Sequence, residues 1–302
     1  MKTLIVILGP TCVGKTEFSL QMAELFSSPI LNADSRQLYR DIPICTAAPT
    51  AEERRRAKHY FVGTLALDEY YSAAQYEADA LKVLDKLFAH QDVVVMSGGS
   101  MLYIDAVCQG IDDIPTINSD IREWMRSRYE HEGLDSLVEE LREFDPEYYR
   151  ICDLKNPKRV VHALEICHQS GRTYTSFRIG KTKVRPFNVL KIGLERERQE
   201  LFARINCRVD NMMAAGLLDE ARSVLPWRNQ NSLNTVGFKE LFKYLDGEWE
   251  LDFALEKMRR NTRVYAKKQM TWFKKDASTH WFRSDKADDI RYFIKKQLGG
   301  QF

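Results

Sequence analysis

Leu4 to Leu8 is an uninterrupted apolar run that stops at Gly9, and a helical pattern follows from Lys15 to Phe26. A short run that is apolar at every position predicts a strand buried on both faces. Further short apolar runs at Pro29 to Asn32, Tyr60 to Val62 and Val93 to Met96 are separated by helical stretches, notably Ala73 to Ala89 and Ser100 to Gln109. This alternation predicts an α/β fold with a mostly parallel sheet flanked by helices. The order of the strands is not legible in it.

After Gly110 the pattern changes. Asp112, Asp113, Pro115 and Asn118 form a turn-rich link, and polar helical patterns then run through Ile121 to Glu132, Leu134 to Phe144 and Pro157 to Ser170. An all-helical domain, 113–186, is therefore expected as an insertion into a core made of 1–112 and 187–302. Asn188 to Leu194 reads as a strand that returns to the sheet. The remainder is mostly helical in pattern, including a long segment from Leu251 to Asp276.

Composition narrows the classes. The 302 residues can bury a core without staples. Lysine plus arginine (45) nearly cancels aspartate plus glutamate (43), so any basic surface must be local. Six scattered cysteines without a C-x-x-C pair argue against zinc and against a disulfide framework, and a reducing cytoplasm is the expected compartment. No stretch approaches the roughly 20 apolar residues of a membrane span, and the first apolar run is too short for a signal-peptide core.

Residues Gly9-Pro10-Thr11-Cys12-Val13-Gly14-Lys15-Thr16 match G-x-x-x-x-G-K-[ST], between a predicted strand and a predicted helix. The glycines let the backbone curl so that its N–H groups face phosphate oxygens. Lys15 adds a cation, Thr16 a hydroxyl for Mg²⁺, and the helix its positive end. A polyphosphate is expected here. The strand at Val93 to Met96 runs into Ser97-Gly98-Gly99-Ser100 rather than into an aspartate, and no Asn-Lys-x-Asp stretch for guanine occurs, so a transferase is favoured over a hydrolytic NTPase. Asp34 closes the second strand at the ligand edge of such a sheet, where it suits a catalytic base, a magnesium ligand or a helix cap. Ser100 suits either a contact to a leaving group or a helix cap. Lys257 to Lys275 holds eight basic residues and no acidic one, with Arg259, Arg263, Lys267 and Lys274 on one side of a helix that could track a phosphate backbone. Met258, Tyr265 and Trp272 fall on another side, diluted by Asn261, Thr262 and Gln269.

The succession GPTCVGKT, NADSRQLY, YSAAQY and SGGSMLY resembles the tRNA dimethylallyltransferase family, also called tRNA isopentenyltransferase. The resemblance continues through Asn156-Pro157-Lys158-Arg159, Thr235-Val236-Gly237-Phe238-Lys239-Glu240 and Thr262-Arg263 to Thr271-Trp272-Phe273, nearly the whole chain. It implies a magnesium-dependent enzyme whose loop (Gly9 to Thr16) holds the diphosphate of dimethylallyl diphosphate rather than ATP, and a monomer is expected because tRNA itself would span the active channel. The acceptor it implies is N6 of adenosine 37, extruded from the tRNA anticodon stem-loop. It implies Asp34 as the base, Ser100 beside the leaving diphosphate, and anticodon-arm contacts from Asp34, Ser35, Arg36, Gln37 and Ser100. Further tRNA contacts are implied for Arg122, Lys158, Arg159, Val160, Val161 and His162, and Arg263 and Lys267 are added from the basic helix. Ala48 stands where many relatives carry Lys, Phe238 replaces a usual Tyr, and Asn234 lies where some relatives have Arg. The rivals are prenylation of free adenine nucleotides, a small-metabolite kinase and a non-catalytic RNA-binding protein.

Overall fold

The computed structural model describes residues 2–180 and 182–299. Along the chain run β1 (Thr3–Leu8), α1 (Lys15–Leu25), β2 (Ile30–Asn32), α2 (Pro43–Thr46), α3 (Ala51–Arg56), β3 (His59–Tyr60), α4 (Ala73–Phe88), β4 (Val93–Ser97) and α5 (Met101–Gln109). Next come α6 (Ser119–Phe144), α7 (Pro146–Ile151) and α8 (Pro157–Ser170). The chain then returns through β5 (Asn188–Glu195), α9 (Arg198–Ala214), α10 (Leu217–Val224), α11 (Phe238–Leu245), α12 (Leu251–Phe273), β6 (Thr279–Arg283) and α13 (Ala287–Gln297).

Two compact units result, Met1–Cys108 with Arg185–Phe302, and Gln109–Val184. The borders lie a few residues before those expected at 112/113 and 186/187. In the first unit six strands pair in parallel in the order β3-β2-β4-β1-β5-β6. β1 is central, and its residues alternate between two cores: Leu4, Val6 and Leu8 pack on one face with Tyr76, Leu84 and Phe238, while Ile5 and Ile7 pack on the other with Phe18, Leu20 and Ile290. The period of two carries each side chain to the opposite face, and helices cover both faces, so the run from Leu4 to Leu8 is apolar at every position.

Two expectations change. The terminal segment, expected to be mostly helical, contains the strand β6, which pairs with β5 from Lys191↔Thr279 to Glu195↔Arg283. The third strand is His59–Tyr60 rather than Tyr60 to Val62, because Phe61 (φ 62°) leaves extended geometry.

The second unit packs Met125, Leu137, Leu141, Val160 and Leu164 into its own small core. Gly133 (φ 79°, ψ 178°) breaks α6 into two helical stretches, between Glu132 and Leu134. Among the described residues no helix is long and apolar enough to cross a membrane.

Candidate active site

The phosphate loop leaves β1 at Gly9, whose φ of 146° and close approach to the Leu194 carbonyl (2.5 Å from where a Cβ would stand) admit no side chain. It enters α1 through Gly14 at φ 115°. Lys15 Nζ donates to the carbonyls of Gly9 (3.0 Å) and Pro10 (2.8 Å), folded over its own loop. Burial lowers the Lys15 pKa to about 8, with a further lowering from Arg208 and a partial offset from Asp34.

The ends of β1, β2 and β4 are tied together beside this loop. Ala33 N–H donates to the Ser97 carbonyl, Ser100 N–H to the Ala33 carbonyl, and Gly98 N–H to the Ile7 carbonyl. Any Cβ on Gly98 would stand 2.1 Å from the Ala33 oxygen, which is why a glycine directly follows the strand. The turn that follows Ala33 presents Asp34, whose Oδ1 accepts from Arg36 N–H at 3.0 Å.

Two cavities meet at that carboxylate. One, about 550 Å³, is lined by Thr11, Cys12, Gly14, Lys15 and Thr16 of the loop, by Gly98 and Gly99, and by Arg204 and Arg208 of α9. The other, about 470 Å³, is lined by Ser35, Arg36, Asn234, Thr235, Lys239, Glu240, Asn261, Thr262 and Lys268. Asp34, Thr11, Thr46, Arg208 and Tyr265 line both. Burial and the neighbouring Asp34 charge raise the Tyr265 phenol, keeping it neutral.

Several expected site residues have different surroundings. Ser100 Oγ accepts from Ser35 N–H (2.8 Å) and donates to Ser35 Oγ (3.1 Å), so it shapes the Asp34 turn. Thr11 N–H, expected to face phosphate, donates to Gln269 Oε1 at 2.9 Å. Val160 is fully buried in the core of the helical unit and presents no surface for tRNA, while Lys158, Arg159 and His162 are exposed around it and Val161 and Arg122 are half-buried. On α12, Arg259 pairs with Asp210 (2.5 Å) and Arg263 binds Asn206 (2.8 Å) and lies 3.7 Å from Glu256, and Lys274, which caps that helix, pairs with Glu195 (3.0 Å). Three of the four cations of the predicted phosphate-tracking face are thus engaged within the unit, and Lys267 remains exposed.

Three residues escaped sequence reasoning. Arg204 Nε donates to the Cys12 carbonyl (2.8 Å) and Arg208 Nη1 to Thr11 Oγ1 (3.0 Å), which sets two guanidinium groups over the loop. Their spacing of one helical turn on α9, beside the buried Leu201, Ile205 and Val209, looks like the ordinary solvated border of an apolar stripe. Gln269 is 1% exposed and also donates from Nε2 to the Gly99 carbonyl (2.8 Å), joining the phosphate loop to the Gly98-Gly99 turn after β4. A signal was available: Gln269 falls in register with the buried Met258, Ala266 and Phe273, so a polar side chain there needs buried partners. Of the departures, Phe238 is wholly buried, and Ala48 lines an apolar recess with Pro43, Ile44, Pro49 and Met212.

Among the described residues no group of three or more His, Cys, Asp or Glu side chains could cage a metal. Thr16, exposed into the first of these cavities at the first turn of α1, fits the other way of holding magnesium, by one hydroxyl together with phosphate oxygens and water.

The comparisons with known proteins agree in direction. The family model described as IPP transferase matches residues 37–276. The chain is 60% identical to tRNA dimethylallyltransferase 1 of Bacteroides thetaiotaomicron over 98% of this chain and 96% of that one. The solved tRNA isopentenylpyrophosphate transferase of Bacillus halodurans is 32% identical at a TM-score of 0.72, covering 99% of this chain and 97% of that one. A eukaryotic dimethylallyltransferase solved acting on tRNA, 23% identical, superposes at a TM-score of 0.81 over 98% of this chain and 79% of that one, a likeness of fold.

Proposed function

The chain belongs to the IPP transferase family, and from this premise we propose that it transfers a dimethylallyl group from dimethylallyl diphosphate to N6 of adenosine 37 in the anticodon stem-loop of tRNA. The observation that carries the reading is the position of Asp34, shared by a cavity walled by the phosphate loop and a second cavity of nucleoside size. The diphosphate occupies the first, with Lys15, Arg204 and Arg208 around it. The extruded adenine enters the second.

The chemistry follows from that division. The N6 lone pair forms a bond to C1 of the donor as the C1–O bond breaks, the bonding pair leaves on the diphosphate, and the N6 proton passes to the Asp34 carboxylate. An exocyclic amine is a weak nucleophile, so removing its proton as it attacks is worth about 10²- to 10⁴-fold. Lys15 and the two arginines stabilise the negative charge that grows on the leaving diphosphate. Magnesium held by Thr16 and the donor's own oxygens would add to that neutralisation. Ser100 supports the reaction by fixing the Asp34 turn through Ser35. Cations Lys158, Arg159, Arg122 and Lys267, with His162, are the proposed contacts to the RNA.

The test incubates the purified protein with Mg²⁺, labelled dimethylallyl diphosphate and either unmodified tRNA or free adenine nucleotides, followed by digestion and nucleoside mass analysis. Label on adenosine 37 is the expected result. Label on free nucleotides alone, or no transfer, overturns it.

A further inference from the structure

Glu240 is 3% exposed yet lies on the wall of the second cavity. Both of its oxygens are engaged: Oε2 accepts from Gly237 N–H at 2.7 Å, and Oε1 accepts from Asn261 Nδ2 at 2.6 Å. A carboxylate can only accept, so the Asn261 amide has one orientation, nitrogen toward Glu240 and Oδ1 outward. Asn261 lines the same cavity from α12. Besides capping α11 through Gly237 N–H, this buried carboxylate on a cavity wall orients one amide, and the carbonyl so turned outward has no partner assigned by either contact.

We infer that the Glu240–Asn261 pair is a fixed hydrogen-bond acceptor that reads the group at position 6 of the target base. The inference rests on the nucleoside reading of this cavity and deepens it. An exocyclic amine carries two hydrogens. Asp34 takes one in the reaction, and the other, in a cavity closed to water by the bound RNA, needs an acceptor of its own. Asn261 Oδ1 supplies it, and disfavours a base with oxygen at position 6 by facing it with a second oxygen. Asn261 is the specificity-determining residue and Glu240 a positioning residue acting through it.

The experiment measures binding, without donor, of two anticodon-arm RNAs identical except for adenosine or inosine at the target position. The wild-type protein is expected to prefer adenosine. Asn261→Ala should reduce that preference about tenfold or more, the size expected when a buried donor loses its acceptor. Glu240→Gln gives a sharper result. Its amide oxygen must still take the Gly237 N–H, so its NH₂ faces Asn261, turns the asparagine over and presents Nδ2 to the cavity. The preference should then move toward inosine, further than in Asn261→Ala. Damage to the fold alone would weaken both RNAs by one factor, so an unchanged ratio in both variants overturns the proposal. Prenyl transfer by the wild-type protein, assayed in parallel, separates the two readings: transfer to tRNA with unchanged ratios defeats the reader alone, and absence of transfer to tRNA defeats the function.

Discussion

The phosphate loop and the helices that close over it are held by different forces. The loop is local: eight consecutive residues, two glycines at positive φ and the start of α1 make a phosphate cradle wherever a buried strand precedes them. Its roof is assembled from far along the chain. Gln269 reaches Thr11 across 258 residues, Arg208 reaches it across 197, and Arg204 reaches Cys12 across 192. In the proposed reaction, holding the diphosphate and using it would therefore be separately encoded. The cradle follows from local conformation, while the second cavity, the shared carboxylate and the covering cations exist only once α9 and α12 have packed on the sheet.

The sharpest division falls at Asp34, which belongs to both cavities. Asp34→Asn should lower kcat by about 10²- to 10⁴-fold, with tRNA binding nearly unchanged in a filter assay. Comparable losses of turnover and of binding would make Asp34 a binding group. Next comes the loop's own cation. Lys15→Ala should cost about 10²- to 10³-fold in kcat/KM for the donor, as loss of one preorganised charge at a leaving group does, with little effect on tRNA affinity. A smaller effect than that of Arg208→Ala would transfer the main electrostatic role from loop to roof.

Gly98→Ala tests the strand ends rather than the ligands. With the Ala33 backbone 2.1 Å from the added Cβ, the substitution should destabilise the protein by about 1–3 kcal/mol in denaturant melts. Gln269→Ala removes both contacts of the staple and should cost about 1–3 kcal/mol because Thr11 N–H and the Gly99 carbonyl lose their partner, accompanied by a higher KM for the donor. An unchanged KM would mean that the loop holds its shape without its roof.

The smallest expected effect is one of pH. Lys15, lowered to about 8, is a cation below that pH and neutral above it, so donor affinity should fall as pH rises through about 8. Bound diphosphate favours the charged form, and binding at or above that pH should therefore take up a proton, measurable by calorimetry in buffers of different ionisation heat. Because Arg208 lowers the Lys15 pKa, Arg208→Ala should move this alkaline limb upward while weakening binding overall. A limb that stays in place would exclude Lys15 as its source.

Legibility differed between regions for the same reason. The insertion's helices and the break at Gly133 could be read because helix period and a glycine punctuate the chain locally. β6 was missed: Thr279–Arg283 is short and partly exposed at the sheet edge, so no buried apolar run marks it. Val160 was misassigned because it lies among Lys158, Arg159 and His162 in a basic stretch, and only the packing of α8 turns it into the core. The sequence pattern places Arg259 and Arg263 on a face that could track a phosphate backbone, and it is silent about their partners, Asp210 and Asn206, because these belong to another helix.

By itself the sequence determined that a two-faced parallel sheet carries a phosphate loop, that a carboxylate ends its second strand, and that a helical segment interrupts it. Each of these depends on residues a few positions apart, whose backbone preferences and period act before any long-range contact forms. Only the tertiary structure decided the strand order, the meeting of two cavities at Asp34, and the employment of Ser100, Gln269, Arg208 and Glu240. Those depend on which buried polar group faces which, and a buried donor or acceptor finds its partner only when packing has removed water as the alternative.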